Sequence, residues 1–320
     1  MRVDLYQIAI QFIAAKIPFW PRTHAEDLAP RGYYPFGITY PIRFHTTLQQ
    51  QKMQSFTIAA AALSAIASIP AVSAHGFVQQ VTTGGQTYAG ASPNWFYTPN
   101  NLPDQAGWMA YNQDNGFVEP EAYGSVNISC HEGAKPGNQY IPVKAGDTMD
   151  LQWNTWPSSH KGPITAYMAR CNGDCTQLQD ASSLDWFKIE ETGLIDPSSN
   201  TWAADKLIED DFTWTHTIPS NLAAGNFVLR HEIIALHSAG QENGAQNYPM
   251  CFNVKVSGSG NAWPCNDGAD CRHGDKLYTK KEAGIEFNIY SNPTSYPIPG
   301  PKIFSSIASS AKRFARSFIA

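Results

Sequence analysis

The chain has 320 residues, 42% of them hydrophobic and 15% charged, and its formal net charge is −5. This length allows one large domain or two modest ones with a buried core, and the acidic balance excludes the basic field that nucleic-acid binding needs. The 24 glycines, the 22 prolines and the scarcity of long helical patterns favour a β-rich body with many loops.

The N-terminal part of the sequence predicts processing and secretion. Residues 56–69 form an apolar run that is too short to span a bilayer comfortably and has the length of a signal-peptide core. Val72 and Ala74 stand where a signal peptidase requires small residues. We therefore predict a signal peptide at 53–74 and a secreted mature chain that begins at His75.

Two terminal segments are expected to lie outside the fold. Residues 1–52 are interpreted as a leader or a gene-model extension rather than a membrane anchor, because Lys16 and Pro18 interrupt their apolar stretch. Residues 302–320 have the spacing of a basic amphipathic helix, which can lie on a membrane surface, but we favour a frayed tail.

The region between these segments, 75–301, reads as a single all-β domain. Alternating apolar and polar residues and turn signals predict an antiparallel β-sandwich, immunoglobulin- or fibronectin-like, whose long loops carry short helices. Residues 183–189 suggest either a helical turn or an inserted loop. The predicted strands are a hairpin over 143–156 and single strands at 163–171, 226–237 and 251–256.

Six cysteines and a sequon fit a secreted protein. An even number of cysteines after a signal peptide favours disulfides. The alternative is a zinc site, because Cys171 and Cys175 have the spacing of metal ligands. Asn127, followed by Ile128 and Ser129, is a candidate for N-glycosylation.

A histidine at a free N-terminus is a chelating group. The α-amine of His75 and its Nδ1 can bind one metal ion together, and an amine with a pKa of about 8 gives up its proton to a metal at modest cost. One more imidazole completes a planar set of nitrogens that suits Cu(II). His160 lies on a Gly-Pro loop between predicted strands and is the candidate. His231 and His237 share a strand face with apolar residues, where a histidine is more often part of the core.

Several segments occur together and in order, and the combination is specific although no single segment is. These are HGFV at 75–78, HEGAKPG at 131–137, SHKGPITAYMARC at 159–171, VLRHEIIALHSAGQENGAQNYPMC at 228–251 and SYPIPGP at 295–301. Together they resemble the fungal lytic polysaccharide monooxygenases of auxiliary activity family nine, formerly glycoside hydrolase family 61. The resemblance covers the chain from His75 to Pro301.

The resemblance implies one copper ion per chain. His75 would supply its amine and Nδ1, His160 its Nε2, and Tyr248 would stand at the axial position. Gln246 and His237 would hydrogen-bond bound oxygen species, which makes them, with Tyr248, the catalytic candidates. Tyr248 also has a simpler interpretation as a core aromatic, because it shares a strand face with apolar residues.

The resemblance also implies disulfides and substrate contacts. The disulfides would be Cys130–Cys251 and Cys171–Cys175, while the pairing of Cys265 with Cys271 stays open. Tyr296 matches an aromatic on a flat substrate face, where a ring can stack on a sugar, and Tyr97 is a second candidate for that contact.

The implied reaction is copper-dependent oxidative cleavage of cellulose and related β-1,4-glucans by hydrogen abstraction at C1 and/or C4. The partners would be a cellulose or other β-glucan surface, O2 or H2O2, and an electron donor such as cellobiose dehydrogenase or a small reductant. We expect a monomer that binds no nucleic acid. The position of attack, the breadth of substrates and the physiological donor stay open.

Two rival functions are weighed against this one. A glycoside hydrolase needs two carboxylates that flank the scissile bond, and no sequence feature pairs them here. A non-catalytic secreted copper- or polysaccharide-binding protein on the same scaffold should have lost Gln246, His237 or Tyr248. All three are present, which favours the enzyme.

Overall fold

The computed structural model describes residues 75–98, 104–112 and 114–304, all within the compact unit that begins at Ala71. The predicted leader and signal peptide, and residues 305–320 of the predicted tail, lie outside the described residues. Within the described part, no helix has the length and apolar character needed to cross a membrane.

Strands make up most of the regular structure. The described α-helices are α1 (Asn127–Cys130) and α2 (Ala203–Glu209), and 3-10 turns occupy Pro93–Tyr97, Pro120–Ala122, Cys175–Gln177 and Gly274–Lys276. In chain order the strands are β1 (Val78–Thr83), β2 (Gln86–Ala89), β3 (Ile141–Lys144), β4 (Thr148–Trp153), β5 (Ile164–Arg170), β6 (Asp185–Thr192), β7 (Leu194–Asp196), β8 (Thr201–Trp202), β9 (Thr213–Thr217), β10 (Gly225–Ala235), β11 (Gln246–Ser257) and β12 (Cys271–His273).

The strands form a sandwich of two main sheets, which confirms the predicted fold class. One sheet has the order β2-β1-β4-β9 and the other β12-β6-β5-β10-β11-β3, while β7 and β8 form a small ribbon. The pairing is antiparallel throughout both sheets except between β11 and β3, which run parallel. The long central pair β10 and β11 is in register from Gly225 opposite Val256 to Ala235 opposite Gln246.

The six-stranded sheet is covered on both faces. Along β10, Phe227, Leu229 and Ile233 belong to the core shared with the other sheet, whereas Val228 and Ile234 belong to a second core beneath the loops. A strand buried on both sides does not alternate between apolar and polar residues, which explains the nearly continuous apolar sequence of β10.

Two local predictions were wrong. Residues 143–156 do contain two strands around a turn, but β3 pairs with β11 and β4 pairs with β1 and β9, so the chain crosses from one sheet to the other instead of forming a hairpin. Two strands that alternate apolar and polar residues and are joined by a short turn need not pair with each other, because in a sandwich each of them can join a different sheet.

The segment 183–189 contains the start of strand β6 rather than a helical turn or an inserted loop. A charged residue such as Lys188 argues against a buried strand in the sequence. In the structure Lys188 is nevertheless buried, and its ammonium donates to Glu191 and to the carbonyl oxygen of Pro299. The fold also runs past the predicted boundary at 301: Ile303 bridges to Lys188, and Phe304 packs on Phe187.

Three disulfides tie loops to this sheet. Cys130–Cys251 joins α1 to β11, Cys171–Cys175 closes a short loop after β5, and Cys265–Cys271 joins an irregular segment to β12. Disulfides therefore account for all six cysteines, and the zinc alternative for Cys171 and Cys175 does not apply.

A buried ion pair organises the second core. Arg230 and Glu232 lie 2.6 Å apart with no exposed side-chain surface, and Arg230 also donates to backbone oxygens of α1. The Glu232 carboxylate accepts hydrogen bonds from Asn247 and from the hydroxyl of Tyr278. Satisfying every lone pair of a buried carboxylate is what makes such a pair tolerable in a core.

Replacing Tyr278 with Phe should therefore lower the free energy of unfolding by about 2 kcal/mol, because a buried charged acceptor loses a donor. Chemical denaturation measures the change. Tyr290→Phe is the matched control, since that ring is 68% exposed, and it should leave the stability unchanged. Equal stability of the two variants would show that the hydroxyl of Tyr278 is not needed to satisfy Glu232.

Candidate metal centre

Three imidazoles from separate segments meet at one end of the sandwich. His75 lies just before β1, His160 lies in the loop between β4 and β5, and His237 follows β10. The ring centroids of His75 and His160 are 4.9 Å apart, and those of His160 and His237 are 4.0 Å apart. The structure thus brings together histidines that are far apart in the sequence.

The loop that carries His160 is held firmly against β10. The indole of Trp156 donates to the carbonyl oxygen of His160 at 3.0 Å, and Leu236 donates its backbone N–H to Lys161. Gly162 packs so closely on Ile234 that a Cβ would lie 1.9 Å from its carbonyl oxygen. Only glycine fits this approach, which fixes the position of the loop.

One nitrogen of His160 has the properties of a metal ligand. Its Nδ1 lies 3.0 Å from the hydroxyl of Ser159, whereas its Nε2 is buried without a hydrogen-bond partner among the described residues. An unpaired buried polar atom costs about 1–3 kcal/mol. Burial, followed by the neighbouring His237 and His75, lowers the pKa of His160 to about 4, so its lone pair is available at neutral pH.

Tyr248 lies beside this group on β11. Its ring centroid is 5.3 Å from that of His75 and 5.0 Å from that of Trp156, and the residue is buried. Burial, with a smaller contribution from the negative charge of Asp114, raises the pKa of Tyr248, so the phenol stays neutral. Its hydroxyl donates to Oε1 of Gln246 at 2.8 Å.

Two further residues lie at the centre, and no local sequence pattern indicated either of them. Phe117 lies 6.1 Å from His75 and 6.0 Å from Tyr248 between ring centroids, and it is 37% exposed. Asp114 is close enough for its charge to oppose the lowering of the His75 pKa that burial causes. Their loop is anchored by a bridge between Val118 and Asn247, a long-range contact that no local pattern announces.

The two predicted substrate aromatics differ in exposure, because Tyr296 is half-buried and Tyr97 is exposed. Tyr296 packs on Trp202 and Phe287, with centroids 5.0 and 4.9 Å away, and its hydroxyl donates to the carbonyl oxygen of Gly284. Tyr97 is 68% exposed. Their roles as sugar contacts stay predictions.

The predicted glycosylation site lies on helix α1. Asn127 is half-buried, and its side-chain oxygen accepts from the N–H of Gly133 at 3.4 Å, while Ser129 is fully buried. Attachment of a glycan at Asn127 stays a prediction.

The side chains alone do not complete a metal site. Across residues 75–98, 104–112 and 114–304, no three His, Cys, Asp or Glu side chains are arranged to hold one ion. Two imidazoles therefore need a donor of another kind. The main-chain nitrogen of His75 becomes such a donor when the preceding peptide bond is cut, and imidazole and amine nitrogens are ligands that copper accepts well.

Another histidine, His131, lies outside this centre, and its burial leads us to expect that the stability of the fold decreases in acid. Burial lowers the pKa of His131 from 6.5 to about 4, against a smaller effect of its hydrogen bond to Gly116. Below pH 6.5 the unfolded chain binds a proton there that the folded chain rejects. Stability should therefore fall as the pH drops from about 6.5 to about 4, by about 3 kcal/mol in total for this residue.

Denaturation at several pH values measures this loss, and His131→Asn should reduce it by that amount. Asn is the matched replacement because His131 has a φ of 83°, which Asn tolerates better than most residues. A variant with the same pH dependence as the parent chain would contradict the assignment.

Comparison with known proteins places this fold and site in a family. Residues 75–296 match the model of Auxiliary Activity family 9 (formerly GH61). AA9 family lytic polysaccharide monooxygenase F of Emericella nidulans is 50% identical over 243 residues, which cover 75% of this chain and 95% of the relative. Its namesake from Malbranchea cinnamomea is 48% identical over 254 residues, covering 79% and 100%.

Among solved structures, the extended catalytic domain of H. jecorina LPMO9A has 47% identity and a TM-score of 0.67, over 72% of this chain and 91% of that chain. The sandwich and its histidine centre therefore define a protein of the lytic polysaccharide monooxygenase class. The chain belongs to Auxiliary Activity family 9, a family of copper-dependent oxidoreductases that cleave polysaccharides oxidatively.

Proposed function

We propose that the mature chain begins at His75 and would hold one copper ion through the amine and Nδ1 of His75 and Nε2 of His160, with Tyr248 as a further ligand. The observation that carries the proposal is the buried Nε2 of His160, which has no hydrogen-bond partner among the described residues, on a ring whose centroid lies 4.9 Å from that of His75. A buried nitrogen without a hydrogen bond lowers the stability of the fold, so a histidine that served only the core would be expected to pair it. The free lone pair of such a nitrogen is what a metal ion binds.

The residues around the ligands hold protons at defined atoms. Tyr248 keeps its phenol proton, and its hydroxyl donates a hydrogen bond to Oε1 of Gln246. This leaves the amide N–H groups of Gln246 as the donors for an oxygen co-substrate. His237 stacks on His160 with its Nδ1 buried and unpaired among the described atoms, so it orients that imidazole and offers a second polar group to the same space.

Bound copper supplies one-electron chemistry, which lets an external electron donor and O2 or H2O2 drive hydrogen abstraction at C1 and/or C4 of a β-1,4-glucan. The outcome would be oxidative cleavage of the glycosidic linkage. The substrate would be cellulose or a related β-glucan surface, contacted by exposed rings that include Tyr97. The enzyme would act as a secreted monomer, with cellobiose dehydrogenase or a small reductant as donor.

The test is a product assay with the copper-loaded chain that begins at His75. With cellulose and a reductant it should release sugars oxidised at C1 or C4, and omission of the reductant should abolish their release. The copper-free chain is the matched control and should give no oxidised product. Neutral reducing sugars released without a reductant would instead identify a hydrolase, and no release under any condition would exclude both reactions.

A further inference from the structure

The hydroxyl of Ser129 makes no hydrogen bond within the described part of the chain, although the side chain is fully buried. The backbone beside it is well paired, because the carbonyl oxygens of Ile128 and Ser129 accept hydrogen bonds from Arg230. An unpaired buried hydroxyl lowers the stability of a fold, and alanine has the same shape without the oxygen. The folded chain therefore gives no reason for a serine at this position.

N-glycosylation does give a reason for this serine. Ser129 is the third residue of the Asn-Ile-Ser sequon that begins at Asn127, and the glycosyl transferase requires a hydroxyl at that place. The folded structure hides the signal, since Ile128 and Ser129 have no exposed surface. The sequon can therefore be read only before this segment folds into helix α1.

The order of synthesis leaves time for the sequon to be read. The disulfide Cys130–Cys251 ties helix α1 to β11, and its two cysteines are 121 residues apart in the sequence. At about 5–20 residues per second, chain synthesis takes roughly 6–24 s to cover that distance. Until Cys251 has been made, the bond that fastens the segment to the sheet cannot form, so the sequon stays accessible for that period.

The amide of Asn127 leaves its reactive nitrogen free in the folded chain. Its Oδ1 accepts a weak hydrogen bond from the backbone N–H of Gly133 at 3.4 Å. Its Nδ2, the atom to which a sugar is attached, has no partner among the described residues and is not sealed in the core. A glycan on this nitrogen therefore displaces no hydrogen bond of the described fold.

A small cavity adjoins Asn127. Its volume is about 190 Å³, which has room for one monosaccharide ring. Val126, which precedes Asn127 in the chain, and Gly133, which donates to its amide oxygen, both line the cavity. Val126 is 44% exposed, so a group that enters the cavity from Asn127 covers apolar surface that the protein itself leaves open.

The lining of the cavity suits an N-acetylhexosamine. Trp108 and Ala134 are buried and give it an apolar base, whereas Lys135 and Gln179 are exposed and give it a polar rim. A pyranose has an apolar C–H face that packs on an indole, and its hydroxyl and acetamido groups pair with ammonium and amide groups. The cavity thus offers a partner to each part of such a sugar.

We infer that Asn127 carries an N-linked glycan and that the first N-acetylglucosamine of this glycan occupies the cavity in the folded chain. In the transfer step, Nδ2 of Asn127 forms a bond to C1 of the first sugar of a lipid-diphosphate oligosaccharide. The C1–O bond to the diphosphate breaks, the diphosphate keeps the electron pair, and one proton of Nδ2 passes to a base of the transferase. The step needs no copper, so the inference is independent of the proposed function.

Two hosts separate the role of the glycan from the role of the serine. The chain that begins at His75 is secreted from a eukaryotic host and, in parallel, into a bacterial periplasm, where disulfides form but this glycan is not attached. Peptide mass spectrometry should find Asn127 glycosylated only in the eukaryotic product. Ser129→Ala should abolish the glycan there, and the bacterial Ser129→Ala chain should melt at the temperature of its bacterial parent or higher, because only an unpaired oxygen is lost.

Two results of this comparison would overturn the inference. One is an unmodified Asn127 in the eukaryotic product. The other is a bacterial Ser129→Ala chain that melts well below its parent, because the hydroxyl would then serve the fold itself. Asn127→Gln is the matched control, since it removes the glycan but keeps both the amide and the serine.

Trimming of the glycan tests whether its first sugar lies in the cavity. Endoglycosidase H leaves a single N-acetylglucosamine on the asparagine. We expect the trimmed chain to melt about 2–4 °C above the bacterial chain, and nuclear Overhauser contacts should join the acetyl methyl group of the sugar to the indole of Trp108. Loss of the gain on trimming, or a sugar without contact to Trp108, would place the sugar outside the cavity and overturn the inference.

Two glutamines close together in the sequence give a matched pair of variants. Gln179 lines the cavity, whereas Gln177 does not, and both are exposed. Gln179→Ala should reduce the rise in melting temperature that the single sugar gives, without changing the bacterial chain. Gln177→Ala should leave that rise unchanged. An equal rise in the two variants would contradict a sugar held at the rim of this cavity.

Discussion

A chain that keeps Ala74 in front of His75 should bind copper at least about 100-fold more weakly than a chain that begins at His75. Loss of a residue that only supports a ligand typically costs 10–100-fold in metal affinity, and here a ligand itself is removed, because the amine becomes an amide. The imidazoles of His75 and His160 are unchanged, so the difference isolates the main-chain nitrogen.

Isothermal titration with Cu(II) measures both affinities, and electron paramagnetic resonance reports the number of nitrogen ligands. A chain that begins at His75 and carries one added alanine after Ala320 is the matched control, since it has the same length as the extended chain. It should bind copper like the parent. Equal affinities for all three chains would remove the amine from the ligand set and, with it, the reason for cleavage at Ala74.

Local signals were sufficient for the parts of the site that lie within one segment. The apolar run before Ala74 and the Gly-Pro loop around His160 can each be interpreted without knowledge of the fold. Their meeting cannot, because β1 follows His75 in one sheet while β10 and β11, which end and begin beside the centre, belong to the other. Only the sandwich brings the two sheets' ends together.

The features that the sequence did not reveal all depend on pairing between distant segments. Phe117 reaches the centre because its loop bridges to β11, and nothing in its neighbours announces that contact. No local pattern around His216 indicates a contact, yet the register of β9 against β4 and of β10 within its own sheet sets its Nε2 2.7 Å from Nδ1 of His231. The false hairpin at 143–156 has the same origin, because pairing partners are chosen by the whole fold.

Replacing His160 with Ala should reduce copper affinity by more than about 100-fold, for the same reason that applies to the amine. Titration with Cu(II) measures the loss, and the release of oxidised sugars from cellulose should stop. His273→Ala is the matched control, because that imidazole is exposed and its Nδ1 pairs with Asp275, so its loss should change neither copper binding nor the products.

The stability of the copper-free chain separates a ligand from a core histidine. Removal of a core residue whose polar atoms are all hydrogen-bonded would lower the free energy of unfolding of the copper-free chain. Removal of His160, in contrast, also removes a buried nitrogen that has no partner among the described residues. That nitrogen costs about 1–3 kcal/mol while it stays unpaired, which offsets the packing lost with the ring. We therefore expect the copper-free variant to unfold at nearly the same denaturant concentration as its parent. A large loss of stability with unchanged copper affinity would make His160 a framework residue and would require another second imidazole.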